Sequence, residues 1–411
     1  MLKARIAAFA FGTTAWAIAV TAPAALADTT VKVGVINTYS GPTAAQGTML
    51  EMGLQLYYKL HQKDLPPGVK IELVERDDTG IQPDVAKRLA QELVTRDQVQ
   101  LLAGLVWSPN AMAVAPVATE AKAPMIVMNA ASEQVPKLTQ YTIRTSFTLT
   151  QQAYPLGKWA AKQGYKKAYA AVSDYAPGHE GAAAFAKGFT EAGGQMLGSI
   201  TFPAPPTQPD FTPFLLRVKD ARPDVLYLFV PAGGQAAGII KAAADLDLAG
   251  AGIHIVTTED VVPDEQMANF GDQAIGIVTA GVYSSAGNRP ANKEFLAAWV
   301  KEYGDKMKPD FESAGAWDGM KAIFDLVKET KGKFTGDEAM AFLKNWKNPD
   351  SPKGPIMIDP ATRNIIQNVY MRRIEKQGGQ LVDPEFETIP MVNAEGIPTG
   401  LPYAGSAASS K

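Results

Sequence analysis

The stretch VKVGVINTYSGPTAAQGTMLEMGLQLYYKLHQKDLPPGVKIELVE, Val31 to Glu75, holds one complete strand, helix, strand unit. Val31 to Ile36 is a short β-branched run, and Ile71 to Glu75 is another. Ala44 to His61 between them carries apolar residues at helical spacing. A turn rich in small and hydroxyl residues, Thr38-Tyr39-Ser40-Gly41-Pro42, ends the first strand and leads into the helix. A crossover of this length between two strands implies parallel pairing with a right-handed connection.

The unit repeats outward. Strands are expected at Leu101 to Gly104, Met125 to Met128, Ala168 to Val172, Val225 to Val230, Ile253 to Thr257 and Ile277 to Ala280. Helices are expected at Pro83 to Thr95, Asn110 to Ala121, Gln152 to Gln163, Gly181 to Ala192 and Gly233 to Leu246, with Pro83 suited to a first helical turn. The series runs once from Val31 to Met128 and again from Ala168 to Ala280, which predicts an α/β protein of two doubly wound parallel-sheet lobes. A helical segment follows, with Ala291 to Tyr303, Glu312 to Thr330 and Asp337 to Trp346, and then a late strand pair, Ile356 to Ile358 and Ile365 to Arg373. Helices this late must return to cover one of the sheets, so the chain crosses between lobes more than once. Phe202 to Pro213 holds five prolines and reads as a loop. The expected division is a signal peptide over 1–27, a first lobe from 28–146 plus 284–355, a second from 147–283 plus 356–390, and a disordered tail over 391–411 rich in small residues towards its end.

The first 27 residues carry their own message. Lys3 and Arg5 precede an apolar run from Ile6 to Val20, and Ala25-Leu26-Ala27 supplies small residues at a cleavage site, the pattern of a secretory signal peptide. The chain has no cysteine, which excludes disulfides, thiolate metal sites, a thiol nucleophile and lipidation after the signal. A freely diffusing product in a periplasm is the expectation. The formal charge of −3 becomes about −5 without Lys3 and Arg5, which argues against nucleic acid or an anionic membrane as partner.

Catalytic signatures are missing. His61, His179 and His254 are not spaced to share a metal, and no Walker A loop, G-x-S-x-G elbow or complete G-x-G-x-x-G occurs. Asp77-Asp78, followed by Thr79-Gly80, reads as turn and cap residues. No catalytic residue, metal or cofactor is expected. Ligands of open α/β sheets sit at the carboxyl ends of strands. Here those ends carry Val106-Trp107-Ser108-Pro109-Asn110, Asn129-Ala130-Ala131-Ser132, Asp174-Tyr175-Ala176-Pro177-Gly178, Pro231-Ala232-Gly233-Gly234 and Thr258-Glu259-Asp260. The first-lobe loops lack acids and suit an anion, whereas the last carries two.

With Ser40-Gly41-Pro42, Asp77-Asp78, Ala130-Ala131-Ser132, Leu138-Thr139, Arg144-Thr145 and Asp174-Tyr175 in this order, the chain resembles the periplasmic leucine/isoleucine/valine-binding proteins, the solute receptors of branched-chain amino acid ABC importers. The resemblance spans Asp28 to about Gly379. It implies a type I periplasmic binding fold with a three-crossover hinge, a small carboxylate-bearing solute in the interlobe cleft, and a membrane permease as partner to a monomeric receptor. It implies Ser108, Ala130 and Ser132 for the solute carboxylate, with Ala131 among the ligand-binding residues of the same loop, Glu259 for an α-ammonium, and Gln46 at the rim where relatives carry tyrosine. Pro177 stands where the family has tyrosine, with Tyr175 two residues earlier as its substitute. Trp107 stands where a small residue is usual, and either stacks on a flat ligand or packs beneath its loop. A branched-chain amino acid is the leading expectation. An aromatic carboxylate is the alternative, as is a sensor serving a membrane receptor.

Overall fold

The computed structural model describes residues 29–402; the expected signal peptide lies outside them. Strand β1 (Thr29–Asn37), helix α1 (Ala44–His61), β2 (Val69–Asp77), α2 (Pro83–Thr95), β3 (Leu101–Gly104), α3 (Ser108–Ala121), β4 (Met125–Val127), the single turn α4 (Val135–Leu138) and β5 (Thr142–Arg144) build the first lobe. Its five strands are parallel in the order β2-β1-β3-β4-β5. Val31, Val33, Val35 and Ile36 of the central β1 are buried, as a strand covered on both faces requires. Gly47 lets α1 lie against the end of β1, since a Cβ there would run into the Thr38 carbonyl. That close approach delivers Gln46, in the first turn of α1, to the cleft.

The chain then passes through Thr145 to Thr148 into α5 (Leu149–Lys162), β6 (Lys167–Ser173), α6 (Ala176–Glu191), β7 (Gln195–Phe202), α7 (Thr212–Ala221), β8 (Val225–Phe229), α8 (Gly234–Asp245), β9 (His254–Thr258) and β10 (Val278–Gly281). These strands form a second parallel series, β7-β6-β8-β9-β10. The return brings α9 (Pro290–Tyr303), α10 (Phe311–Thr330), α11 (Gly336–Leu343), β11 (Lys347–Asn348), β12 (Ile356–Ile358), β13 (Ile365–Arg373), the hairpin β14 (Glu375–Gln377) and β15 (Gln380–Val382), and β16 (Glu385–Val392). The two lobes and parallel sheets are those expected.

Several boundaries move. Ile356, Ile358 and Ile365 pack in the first core, whereas Val369 and Met371 of the same β13 pack in the second. The expected lobe boundary at 355/356 therefore shifts into β13, whose start pairs β12 and whose end pairs β10. With the passages after β5 and after β10, this makes three crossings. The expected disorder does not cover 391–402: Val392 and Ala394 are buried, Thr148 Oγ1 donates to the Ala394 carbonyl at 2.6 Å, and Thr399 N donates to Met391 O. Those contacts order a segment whose composition alone reads as a tail. Helix α6 starts at Ala176 and not at Gly181, because Pro177 fits its first turn as Pro83 fits that of α2.

Candidate functional site

The C-terminal ends of β3 and β4 make one wall of the cleft. Gly104 (φ +93°) and Leu105 (φ +66°) both adopt the left-handed region, which swings Val106, Trp107 and Ser108 to the lobe edge. Leucine is disfavoured there, so surrounding bonds hold the strained turn: Leu105 N donates to Ile36 O, and Ala130 N donates to Leu105 O. Ser108 opens α3, whose first-turn N–H groups have no helical acceptor and favour negative charge. Ser132 N donates to Ser108 Oγ at 3.0 Å, leaving the serine proton free to point into the cleft. Trp107 Nε1 donates to Thr38 Oγ1 at 3.1 Å; the residue packs in the first core beneath its loop and also lines the cavity.

Arg144, wholly buried, holds the β4 loop from behind. Its guanidinium donates to the carbonyls of Ala130, Ser132 and Phe147 and to Asn364 Oδ1. Burial lowers its pKa to about 10, still charged at neutral pH. The Ala130 and Ser132 carbonyls turn towards this buried cation, while the N–H groups of the same two residues donate to Leu105 O and Ser108 Oγ.

The opposite wall comes from the ends of β6, β8 and β9. Tyr175, the N-cap of α6, stacks on Phe229 with ring centroids 6.1 Å apart and lines the cavity with Pro177, Pro231 and Ala232. Asp260 lines it too, accepting from Thr258 Oγ1 at 3.1 Å, and burial pushes its carboxyl up to about 7. The floor is Phe147 and Phe311, packed edge to face at 5.4 Å and 83°. Glu312 follows Phe311 and is 1% exposed; Asn129 Nδ2 donates to its Oε1 at 3.4 Å, while its Oε2 has no partner among the described residues. Burial first, then neighbouring Asp310 and Glu265, raise its carboxyl well above the usual range.

The free space left between these walls is about 20 Å³, room for about one water molecule. The cleft is shut. Gln46 Nε2 donates across it to the Ala232 carbonyl, and Glu180 of α6 accepts from Ser132 Oγ at 2.7 Å and from Glu133 N at 3.0 Å.

Of the expected residues, Gln46, Trp107, Ser108, Ala131 and Tyr175 line the cavity together. Ala130 and Ser132 are buried behind it. The Ser132 hydroxyl serves as an interlobe contact to Glu180. Glu259 lies outside the cavity: its carboxylate accepts from Gln152 Nε2, Val282 N and Tyr283 N, with Arg372 Nη1 at 3.9 Å. Its neighbour Asp260 takes the cavity position, because the 3-10 turn Glu259–Val261 aims adjacent side chains in different directions. Phe147, Phe311 and Glu312 were not legible as site residues. They sit at lobe crossings or at the start of a late helix, where no strand-end rule points.

The profile described as "Periplasmic binding protein" matches residues 30–380. The Leu/Ile/Val-binding protein homolog 6 of Brucella melitensis is 36% identical over 92% of this chain and 95% of its own length. A solute-binding protein of an ABC transporter from Rhodopseudomonas palustris BisB5, solved with 3,4-dihydroxybenzoic acid, is 43% identical with a TM-score of 0.84, covering 89% of this chain and 99% of that one. Another from R. palustris, solved with 4-hydroxybenzoate, is 40% identical with a TM-score of 0.85, covering 90% and 99%. The closed two-lobed cleft and these relatives agree: the chain belongs to the periplasmic binding protein family, among the solute-binding proteins of ABC transporters.

Proposed function

We propose that the protein captures an aromatic carboxylate bearing a ring hydroxyl in the periplasm and delivers it to an ABC permease. Cleavage after residue 27, free diffusion as a monomer and a receptor's role without catalysis belong to the same reading.

One observation carries it. The acid expected to hold an α-ammonium, Glu259, is bound to the backbone outside the cavity, and the space between Ser108 and Asp260 is walled by Trp107, Phe147, Tyr175 and Phe311. Aromatic faces of this kind stack on a flat ring. The solute carboxylate accepts from the Ser108 hydroxyl, the Ala131 N–H and the start of α3, over the Arg144 charge. At the far end Asp260 and Glu312, both shifted towards the neutral acid by burial, suit a neutral hydroxyl better than a cation-bearing group. The two R. palustris relatives hold ligands of this class.

A thermal-shift and calorimetric screen tests the assignment. The expected order is 4-hydroxybenzoate and 3,4-dihydroxybenzoate strongest, benzoate weaker and leucine without effect. Stabilisation by leucine alone would overturn it.

A further inference from the structure

A serine hydroxyl has one proton to give. At Ser132 it is given within the protein: Oγ accepts from Gln134 N at 3.2 Å and donates to Glu180 Oε1 at 2.7 Å, while Glu133 N donates to Glu180 Oε2 at 3.0 Å. Neither Ser132 nor Glu180 lines the cavity, although Ala131 beside them does. The first-lobe loop therefore holds a seat for a carboxylate just beyond the cavity, and the second lobe fills it with a side chain of its own.

Both halves of this contact are rigidly mounted. On the first lobe, Ser132 N is tied to Ser108 Oγ, Ser132 O to the Arg144 guanidinium, and Val135 packs in the first core. On the second lobe, Glu180 stands in α6, whose Ala184, Phe185 and Phe189 pack in the second core. Gly178 and Gly181 let this helix lie close on its sheet, since a Cβ at either would run into the Ser173 carbonyl or the Tyr227 hydroxyl. The start of the same helix supplies Tyr175 and Pro177 to the cavity wall. Closure that brings this wall onto a solute brings Glu180 onto Ser132 with it.

We propose that Glu180 is a positioning residue that latches the closed form, adding the same increment to the binding of every solute and taking no part in the choice among them. In the open form the two lobes part and water takes the place of each partner. On closing, the carboxylate loses part of its hydration, which raises its pKa, and the two donors and the Arg144 charge oppose that rise. Glu133, whose own charge opposes the approach, lies 3.8 Å from Lys137 Nζ. Because the Ser132 proton is committed to Glu180, the hydroxyl that the family resemblance gives to the solute carboxylate serves closure in this chain, and Ser108 is left to meet the solute.

The inference rests on the receptor reading of the cleft and not on which solute is bound. A two-state hinge ties apparent affinity to the population of the closed form. Titration calorimetry with 4-hydroxybenzoate, 3,4-dihydroxybenzoate and benzoate is expected to show one common loss for Glu180→Ala, about tenfold to a hundredfold, the range of two hydrogen bonds to a partly exposed carboxylate. Stopped-flow is expected to place that loss in faster dissociation. Glu180→Gln keeps an acceptor and loses less. The Ser132→Ala, Glu180→Ala double variant is expected to lose no more than Glu180→Ala alone, because the hydroxyl has no second role. Melting of the solute-free variants is expected to match wild type, since the open form lacks the contact. Unchanged affinity in Glu180→Ala, a loss confined to one solute, additive losses in the double variant, or an equal fall in solute-free melting each overturns the proposal. Should leucine, isoleucine and valine bind in place of the aromatic acids, the same ratios are read on them, and only the aromatic assignment falls.

Discussion

The two lobes each bury an arginine near the cleft, and they use it in opposite ways. Arg144 has no carboxylate in ion-pair range among the described residues and spends its donors on three backbone carbonyls and one amide. Arg372 lies between Glu259 and Asp383, bonds Thr279 Oγ1 at 2.9 Å, and donates to the Tyr283 carbonyl. The first arrangement leaves a net positive charge under the loop that faces the solute carboxylate. The second cancels its charge within the lobe, so the far wall presents acids with no free cation behind them. A polar solute is thereby oriented end to end before any direct contact is counted.

Breaking the first half of this comparison has the largest expected effect. Arg144→Met leaves the Ala130, Ser132 and Phe147 carbonyls buried without a donor, at a cost of about 3 to 5 kcal/mol in unfolding free energy. Denaturant titration reads the loss, and solute affinity falls with it as the Ala131 loop relaxes. A loss under about 1 kcal/mol contradicts the role given to this cation.

The acid wall sharpens the comparison through pH. The Asp260 carboxyl, at about 7 in the closed protein and in the ordinary range when the cleft opens, favours closure on an anion at low pH. Its contribution is lost between about pH 4 and pH 7, by up to about tenfold per unit, and is flat above. Asp260→Asn is expected to remove one proton's worth of that slope for 4-hydroxybenzoate. An affinity that rises over the same interval signals a cationic group on the solute at that end.

The smallest effect is expected at Glu259. Glu259→Gln keeps an oxygen for Val282 N and Tyr283 N, and the new amide can donate to Gln152, whose Oε1 has no donor at present. Solute affinity should change by less than about threefold, within the range of a single weakened hydrogen bond. A loss of a hundredfold restores Glu259 to the cavity.

Elements with long local patterns were legible in the chain. Helix α1 and helix α2 have the expected ends, because Pro83 and the apolar spacing over Ala44 to His61 are local signals. Strand β5, three residues long, and edge strand β7, interrupted by Gly198 and Ser199, lack any such pattern and were not foreseen. The anion loop was readable because strand ends in α/β folds carry ligands. The choice of Asp260 over Glu259 was not, since both stand together in the sequence and only the turn separates them.

By itself the amino-acid order determined the alternation of strands and helices, the two-lobed class and the loops able to face a ligand, because periodicity and turn chemistry act over a few residues. Tertiary structure alone decided which acid enters the cavity and which arginine stays unneutralised. Those outcomes depend on desolvation and on partners brought together from distant parts of the chain. Charge and protonation in a closed cleft are set by what surrounds each group, and no local pattern encodes that.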